Sequence, residues 1–121
     1  MRVLICGSRY WEGREEIREK ITKLFDENKH DMLVIHGAAR GADTIAGEEA
    51  SKLGIPVEAY PADWKKYGRA AGAIRNTSMI SIGKPDLVLA FHEDLNKSKG
   101  TANMVRQARK AGIPVVIYGG S

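Results

Sequence analysis

One cysteine and three histidines are scattered through the 121 residues, too few and too dispersed for a zinc site. Cys6 has no second cysteine to bridge to, and its place in the apolar run Val3-Leu4-Ile5 suits a reducing compartment. A cytoplasmic protein with no metal and no resident cofactor is therefore expected. No apolar stretch approaches the roughly 20 residues that cross a bilayer, so no membrane partner is expected. The opening Met1–Cys6 segment is cut short by Gly7 before it reads as a signal peptide. No linker divides the chain, and its length fits one domain over residues 1–121. Both common phosphate fingerprints are missing: the Gly-x-x-x-x-Gly-Lys-Ser/Thr loop and the Gly-x-Gly-x-x-Gly turn. A solid basic block is missing too. Nineteen Lys and Arg against fifteen Asp and Glu leave a net charge of +4, which favours an anionic partner. The basic residues mix with acids, however. A nucleic-acid groove needs a stripe, whereas a phosphorylated small molecule needs only a few well-placed cations.

What is present is an alternation. Arg2–Cys6, Met32–His36, Val57–Tyr60, Leu87–Phe91 and Val115–Tyr118 read as short, apolar strands of the kind buried on both faces. Helices are expected over Glu12–Asn28, Ala42–Leu53, Ala70–Ile82 and from Gly100 to about Ala111. Their inward faces follow helical spacing: Ile17, Ile21, Leu24 and Phe25 on the first, and Ala42, Ile45, Ala46, Ala50 and Leu53 on the second. The third presents Ala71, Ile74, Ser78 and Ile82 with Met79 beside them, and the fourth Met104, Val105, Ala108 and Ala111. Leu53-Gly54-Ile55-Pro56-Val57 is echoed by Ala111-Gly112-Ile113-Pro114-Val115, each a helix stop leading into a strand. Ala62–Arg69 reads as a polar loop, His92–Lys99 as a charged one, and Gly119-Gly120-Ser121 as a tail. Five strands alternating with four helices predict an α/β fold, a Rossmann-like three-layer sandwich with a five-stranded parallel sheet.

In such a sheet every βα loop emerges at the carboxyl edge, and the unusual residues of this chain fall in those loops. Leu33–Asp43 runs from a strand through a glycine-bounded turn into a helix, presenting backbone N–H groups and Arg40 to an anion. Gly7, Ser8 and Arg9 follow the first strand, and His36, Gly37, Arg40, Gly41 and Asp43 the second. Asp43 serves either as a helix cap or as a partner for ribose hydroxyls, and His36 as a structural residue or a reactive one. Asp63, Trp64 and Arg69 follow the third strand, where an aromatic among cations suits either base stacking or a lid. Arg69, Gly72 and Asn76 share a helical face with Arg75 next to them. Ser98-Lys99-Gly100-Thr101 is either a second phosphate nest or a plain helix start.

Taken together, Gly7-Ser8-Arg9, His36–Asp43, Ala62-Asp63-Trp64, Arg69–Gly72 with Arg75-Asn76, and Gly100-Thr101 resemble the YspA-type, YpsA-related branch of the SLOG superfamily. The resemblance implies a Rossmann-like domain for nucleotides or nucleotide-derived ligands, with the LOG phosphoribohydrolases and DprA as distant relatives. LOG enzymes carry Pro-Gly-Gly-x-Gly-Thr-x-x-Glu. Here Gly100-Thr101 keeps the central pair, Lys97-Ser98 replaces the diglycine and Met104 stands in place of the glutamate. N-glycoside cleavage needs a carboxylate, so Asp43, Asp63, Glu93 or Asp94 would have to supply it.

Three functions follow as expectations. The first is binding or sensing of a nucleotide-like phosphorylated ligand, with Arg9, Arg40, Arg75 and Thr101 on phosphate, Trp64 on a base or ribose face and Asp43 on hydroxyls. The second is a nucleotide N-glycosidase or phosphoribohydrolase in the same pocket, and the third is single-stranded nucleic-acid binding. The small residues Ala70, Ala71, Gly72 and Ala73 would also permit close helix packing in a homodimer.

Overall fold

Val3 and Ile5 point to one side of the first strand and Leu4 and Cys6 to the other, and all four are buried. A strand covered on both faces needs a helical layer on each, and the computed structural model, which describes residues 1–119, has that arrangement. Strands β1 (Arg2–Gly7), β2 (Leu33–His36), β3 (Val57–Ala59), β4 (Leu87–Phe91) and β5 (Val115–Tyr118) form one parallel sheet in the order β3-β2-β1-β4-β5. Gly120 and Ser121, read above as part of a tail, lie outside the described residues.

Helices α1 (Arg14–Glu27) and α2 (Ala42–Lys52) cover one face. Ile17, Ile21, Ala42, Ile45, Ala46 and Ala50 pack there on Val3, Ile5, Val34, Leu89 and Phe91. Helices α4 (Ala71–Ser81) and α5 (Lys99–Lys110) cover the other, where Met79, Met104, Val105 and Ala108 meet Leu4, Cys6, Ile35, Val88 and Ala90. On the outer side of the first layer, Glu49 is covered by Arg14 at 2.7 Å and Lys52 at 3.0 Å, which ties α1 to α2. These contacts hold its carboxyl below the usual range. Among the described residues no helix is long and apolar enough to cross a membrane.

The structure departs from the sequence reading in several places. The loop read over His92–Lys99 holds a 3-10 turn over Leu95–Lys97. The Ala62–Arg69 loop contains a further helix, α3 (Trp64–Tyr67), continued by a 3-10 turn over Gly68–Ala70. Asp63 caps it by accepting the Lys66 N–H at 3.1 Å, and none of its residues is buried, so no apolar period announced it. The inner face of α4 is rotated from the expected one: Met79 and Asn76 are buried, while Ile74 is 39% and Ile82 68% exposed. Leu53 and Ala111, read as inward, are exposed just beyond the ends of α2 and α5.

Candidate ligand-binding cleft

Because β2 and β4 flank β1, the connections leaving the sheet part company there, and a crevice opens over the carboxyl end of β1. It encloses about 1410 Å³, more than the roughly 300–1,000 Å³ of most small-molecule sites. A ligand of nucleotide size fits within it. The walls come from four loops and two helix starts. Gly7, Ser8, Arg9, Gly37, Arg40, Asp43, Trp64, Arg69, Arg75, Asn76, Gly100 and Thr101 all line it. Of the fifteen residues singled out from sequence, His36, Gly41 and Asp63 do not.

Those three serve the scaffold. His36 Nδ1 accepts the Ala38 N–H at 2.9 Å, and its other ring nitrogen faces Gly47 in a separate, shallower groove on the flank of α2. Burial lowers its pKa, so the ring is neutral at physiological pH. Gly41 is pressed on the Ser8 and Arg9 backbone, and Asp63 caps α3.

The glycine turn after β2 is organised differently from the anion seat expected of it. Several of its N–H groups are already engaged within the chain, chiefly by the Asp43 carboxylate, while those of Arg40 and Gly41 have no partner among the described residues. Asp43 is 4% exposed and accepts the Gly37 N–H at 2.8 Å, with the Ala39 N–H and its own backbone N–H also directed at it. The Ala42 N–H donates to the Ser8 carbonyl at 3.1 Å and the Thr44 N–H to that of Ala39 at 3.2 Å. An external anion would find only the part of the turn around Arg40 and Gly41 unoccupied, with the Asp43 carboxylate and the His36 ring holding the N–H groups before it. Burial pushes the Asp43 carboxyl up to about 6, partly offset by the Gly37 N–H and the nearby Arg75 charge.

The start of α5 is different. Ser98 Oγ accepts the Thr101 N–H at 2.9 Å, which leaves the N–H groups of Lys99 and Gly100 without partners among the described residues. A Cβ on Gly100 would meet nothing within 4 Å, so this helix mouth is open to the cleft. Free first-turn amides and the positive end of the dipole favour an anion there.

Arg75 and Asn76 span the crevice floor. Arg75 donates from Nη1 to the Gly37 carbonyl oxygen and from Nε to Asn76 Oδ1 at 2.9 Å. Asn76 Nδ2 in turn donates to the Gly100 carbonyl at 3.2 Å and to Asn103 Oδ1 at 3.1 Å. One hydrogen-bonded relay thus ties the β2 loop to the start of α5 through α4. It also explains the rotated face of that helix, whose inward side is polar because it carries the relay. Burial lowers the Arg75 pKa, and the Asp43 charge opposes the shift.

Sequence reasoning missed several lining residues, among them Tyr10, His92, Lys97, Asn103 and Arg106. Lys97, in the loop after β4, and Arg106, on α5, belong to no motif that would single them out. Cys6 lies in the floor, with Sγ 3.8 Å from the Leu89 carbonyl oxygen. Burial, and then the charge of Asp43, push its thiol far above the ordinary range. Since the thiolate is the reactive form, Ellman's reagent at pH 8 should label Cys6 only as the protein unfolds. Full labelling of the native protein within minutes would contradict this burial. Among the described residues, no cluster of three or more His, Cys, Asp or Glu is placed to hold a metal ion.

Residues 1–67 match the YspA, cpYpsA-related SLOG family. Over 123 aligned residues, 98% of this chain and 96% of the other, the sequence is 39% identical to Gene 61 protein of Mycobacterium phage D29. The backbone is similar to that of DNA processing protein A (DprA) from Streptococcus pneumoniae, with a TM-score of 0.70 and 16% identity over 96% of this chain. The chain spans 49% of that protein's length, and at this identity the likeness is one of fold. The family match supports a nucleotide-related or nucleic-acid-binding role. Covered by the family over more than half its length and by a relative over nearly all of it, this chain belongs to the YspA, cpYpsA-related SLOG family.

Proposed function

We propose that the chain binds a nucleotide or nucleotide-derived phosphorylated ligand in the cleft over β1. One observation carries this reading. The nineteen basic and fifteen acidic residues of the chain are nearly balanced, yet among the described residues the cleft is lined by seven basic side chains and one carboxylate. The seven are Arg9, Arg40, Arg69, Arg75, Lys97, Lys99 and Arg106, and the carboxylate is Asp43. In this reading the α5 amides and the Thr101 hydroxyl receive phosphate, with Arg9 and Arg40 closing on it from the opposite loops. Trp64, 53% exposed and resting over Gly72, offers a face to a base. Asp43 is left out of ligand recognition because its oxygens are spent on the β2 loop.

The same census weighs against N-glycoside cleavage. Of the four carboxylates that could replace the missing glutamate, Asp63, Glu93 and Asp94 lie outside the cleft lining. The fourth, Asp43, is engaged, and Met104 fills the glutamate's position as a buried apolar residue.

Isothermal calorimetry with adenine nucleotides and ADP-ribose tests the reading. The double variant Arg40→Ala, Thr101→Val should weaken binding about 10–100-fold, the worth of one or two charge-assisted hydrogen bonds. Unchanged affinity in that variant would reject the placement, and the absence of binding by any of these ligands would reject the function.

A further inference from the structure

We infer that the cleft selects ligands carrying two or more linked phosphates over nucleoside monophosphates. This rests on the nucleotide-binding reading and narrows its ligand class.

The first observation is ionic. Outside the cleft, among the described residues, Arg2, Arg14, Arg18 and Lys52 are each paired with a carboxylate, and the remaining eight basic residues there are not. Among the described residues none of the seven cleft cations forms such a pair. Arg75 is a special case, since its guanidinium is fixed by Gly37 and Asn76 and lies close enough to Asp43 to feel that charge. The other six cations are exposed along the same crevice, and among the described residues none is paired with a carboxylate. A phosphate monoester brings a charge of about −1.5 to −2, which leaves most of them unmet. Each additional linked phosphate offsets about one more.

The second observation concerns hydrogen bonding. The cleft is rich in donors, and most of its side-chain oxygens already accept hydrogen bonds within the chain, which among the described residues leaves the hydroxyls of Tyr10 and Thr101 and the Asn96 amide oxygen. Guanidinium and ammonium groups and the Lys99 and Gly100 amides can only donate. The carboxylate of Asp43 is occupied by backbone N–H groups, and Asn103 Oδ1 already accepts from both Asn76 at 3.1 Å and Gln107 at 2.8 Å. A ribose diol or a base amino group therefore finds fewer partners than phosphate oxygens, which only accept. Affinity should come mainly from the number of phosphates, with the base secondary.

Calorimetry of the full chain with adenosine, AMP, ADP, inorganic pyrophosphate and a ten-nucleotide oligothymidylate separates the outcomes. ADP should bind about tenfold more tightly than AMP, one further charge-assisted contact, and adenosine should give no heat. Substituting the exposed Lys97→Ala and Lys99→Ala together should bring the ADP-to-AMP ratio close to one. Pyrophosphate matching ADP supports the inference and moves recognition off the base. Equal binding of AMP and ADP overturns the inference and leaves the nucleotide-binding reading intact. An oligothymidylate that outcompetes ADP at physiological salt overturns it in favour of single-strand binding, and no binding by any nucleotide overturns the reading beneath it.

Discussion

Gly41→Ala should destabilise the fold by about 3 kcal/mol or more, combining overpacking with a backbone conformation that side chains avoid. Gly41 has φ +74° and ψ −125° at the residue before α2, and a Cβ there would fall on the Ser8 carbonyl oxygen and the Arg9 carbonyl group. Neither can yield cheaply. The Ser8 carbonyl accepts the Ala42 N–H that opens α2, and the Ser8 N–H donates to Phe91 at 2.8 Å. The glycine is thus the point where the loops after β1 and β2 are pressed together, below Arg9 and Arg40. Gly54 supplies the control. It has nearly the same φ, +76°, with nothing within 4 Å of where a Cβ would sit, so Gly54→Ala meets only the conformational penalty, about 1 kcal/mol. Thermal melts should separate the two by several degrees, on the order of 10 °C for a domain of this size. Equal shifts would mean that the loops are not in the close contact described.

The strands and the one-sided gathering of loops were legible because both follow from coarse physics. Apolar runs such as Leu87–Phe91 are read from composition, and parallel alternation obliges every βα loop to leave at one edge. That is why Arg9, Arg40, Trp64 and Thr101, far apart in sequence, could be expected at a single crevice and are found there. The misreadings arise where polar groups are buried for a structural reason. Apolar period places Ile74 and Ile82 inward, but the helix turns Arg75 and Asn76 to the floor, where the Gly37 and Gly100 carbonyls accept from them. Likewise, the glycines after β2 signal a free nest. One carboxylate three residues beyond Arg40 occupies part of it, and nothing in residue spacing reveals how far a nest is occupied. The α3 helix escaped notice because four exposed residues held by one Asp63 cap have no period to read.

Asp43→Asn should change the pH dependence of stability more than any other single substitution in the cleft. The buried carboxyl titrates near 6 in the folded protein against 3.8 when unconstrained. Between those values the folded state holds a proton that the unfolded state has released, so this group makes stability fall as pH rises from about 4 to 6. Above 6 the loss is complete, about 3 kcal/mol for a displacement of this size. Arg75 is the cation facing the carboxyl, and Cys6, the other titratable group beside it, stays protonated throughout that window. His36 and Glu49, whose pKa values are lowered, act in the opposite sense, stabilising the fold as pH rises. The difference between wild type and variant cancels their part. Urea titrations at pH 4 and pH 7 should therefore show the wild type losing about 2.4 kcal/mol relative to Asp43→Asn across the interval. A flat difference would mean that Asp43 is solvated. A carboxylate kept at such a cost is explained by what it holds, since its oxygens gather the N–H groups of Gly37 and Ala39 and so set the turn that carries Arg40 to the mouth of the cleft. The charge that shapes the basic wall is thereby hidden from the ligand that the wall is proposed to receive.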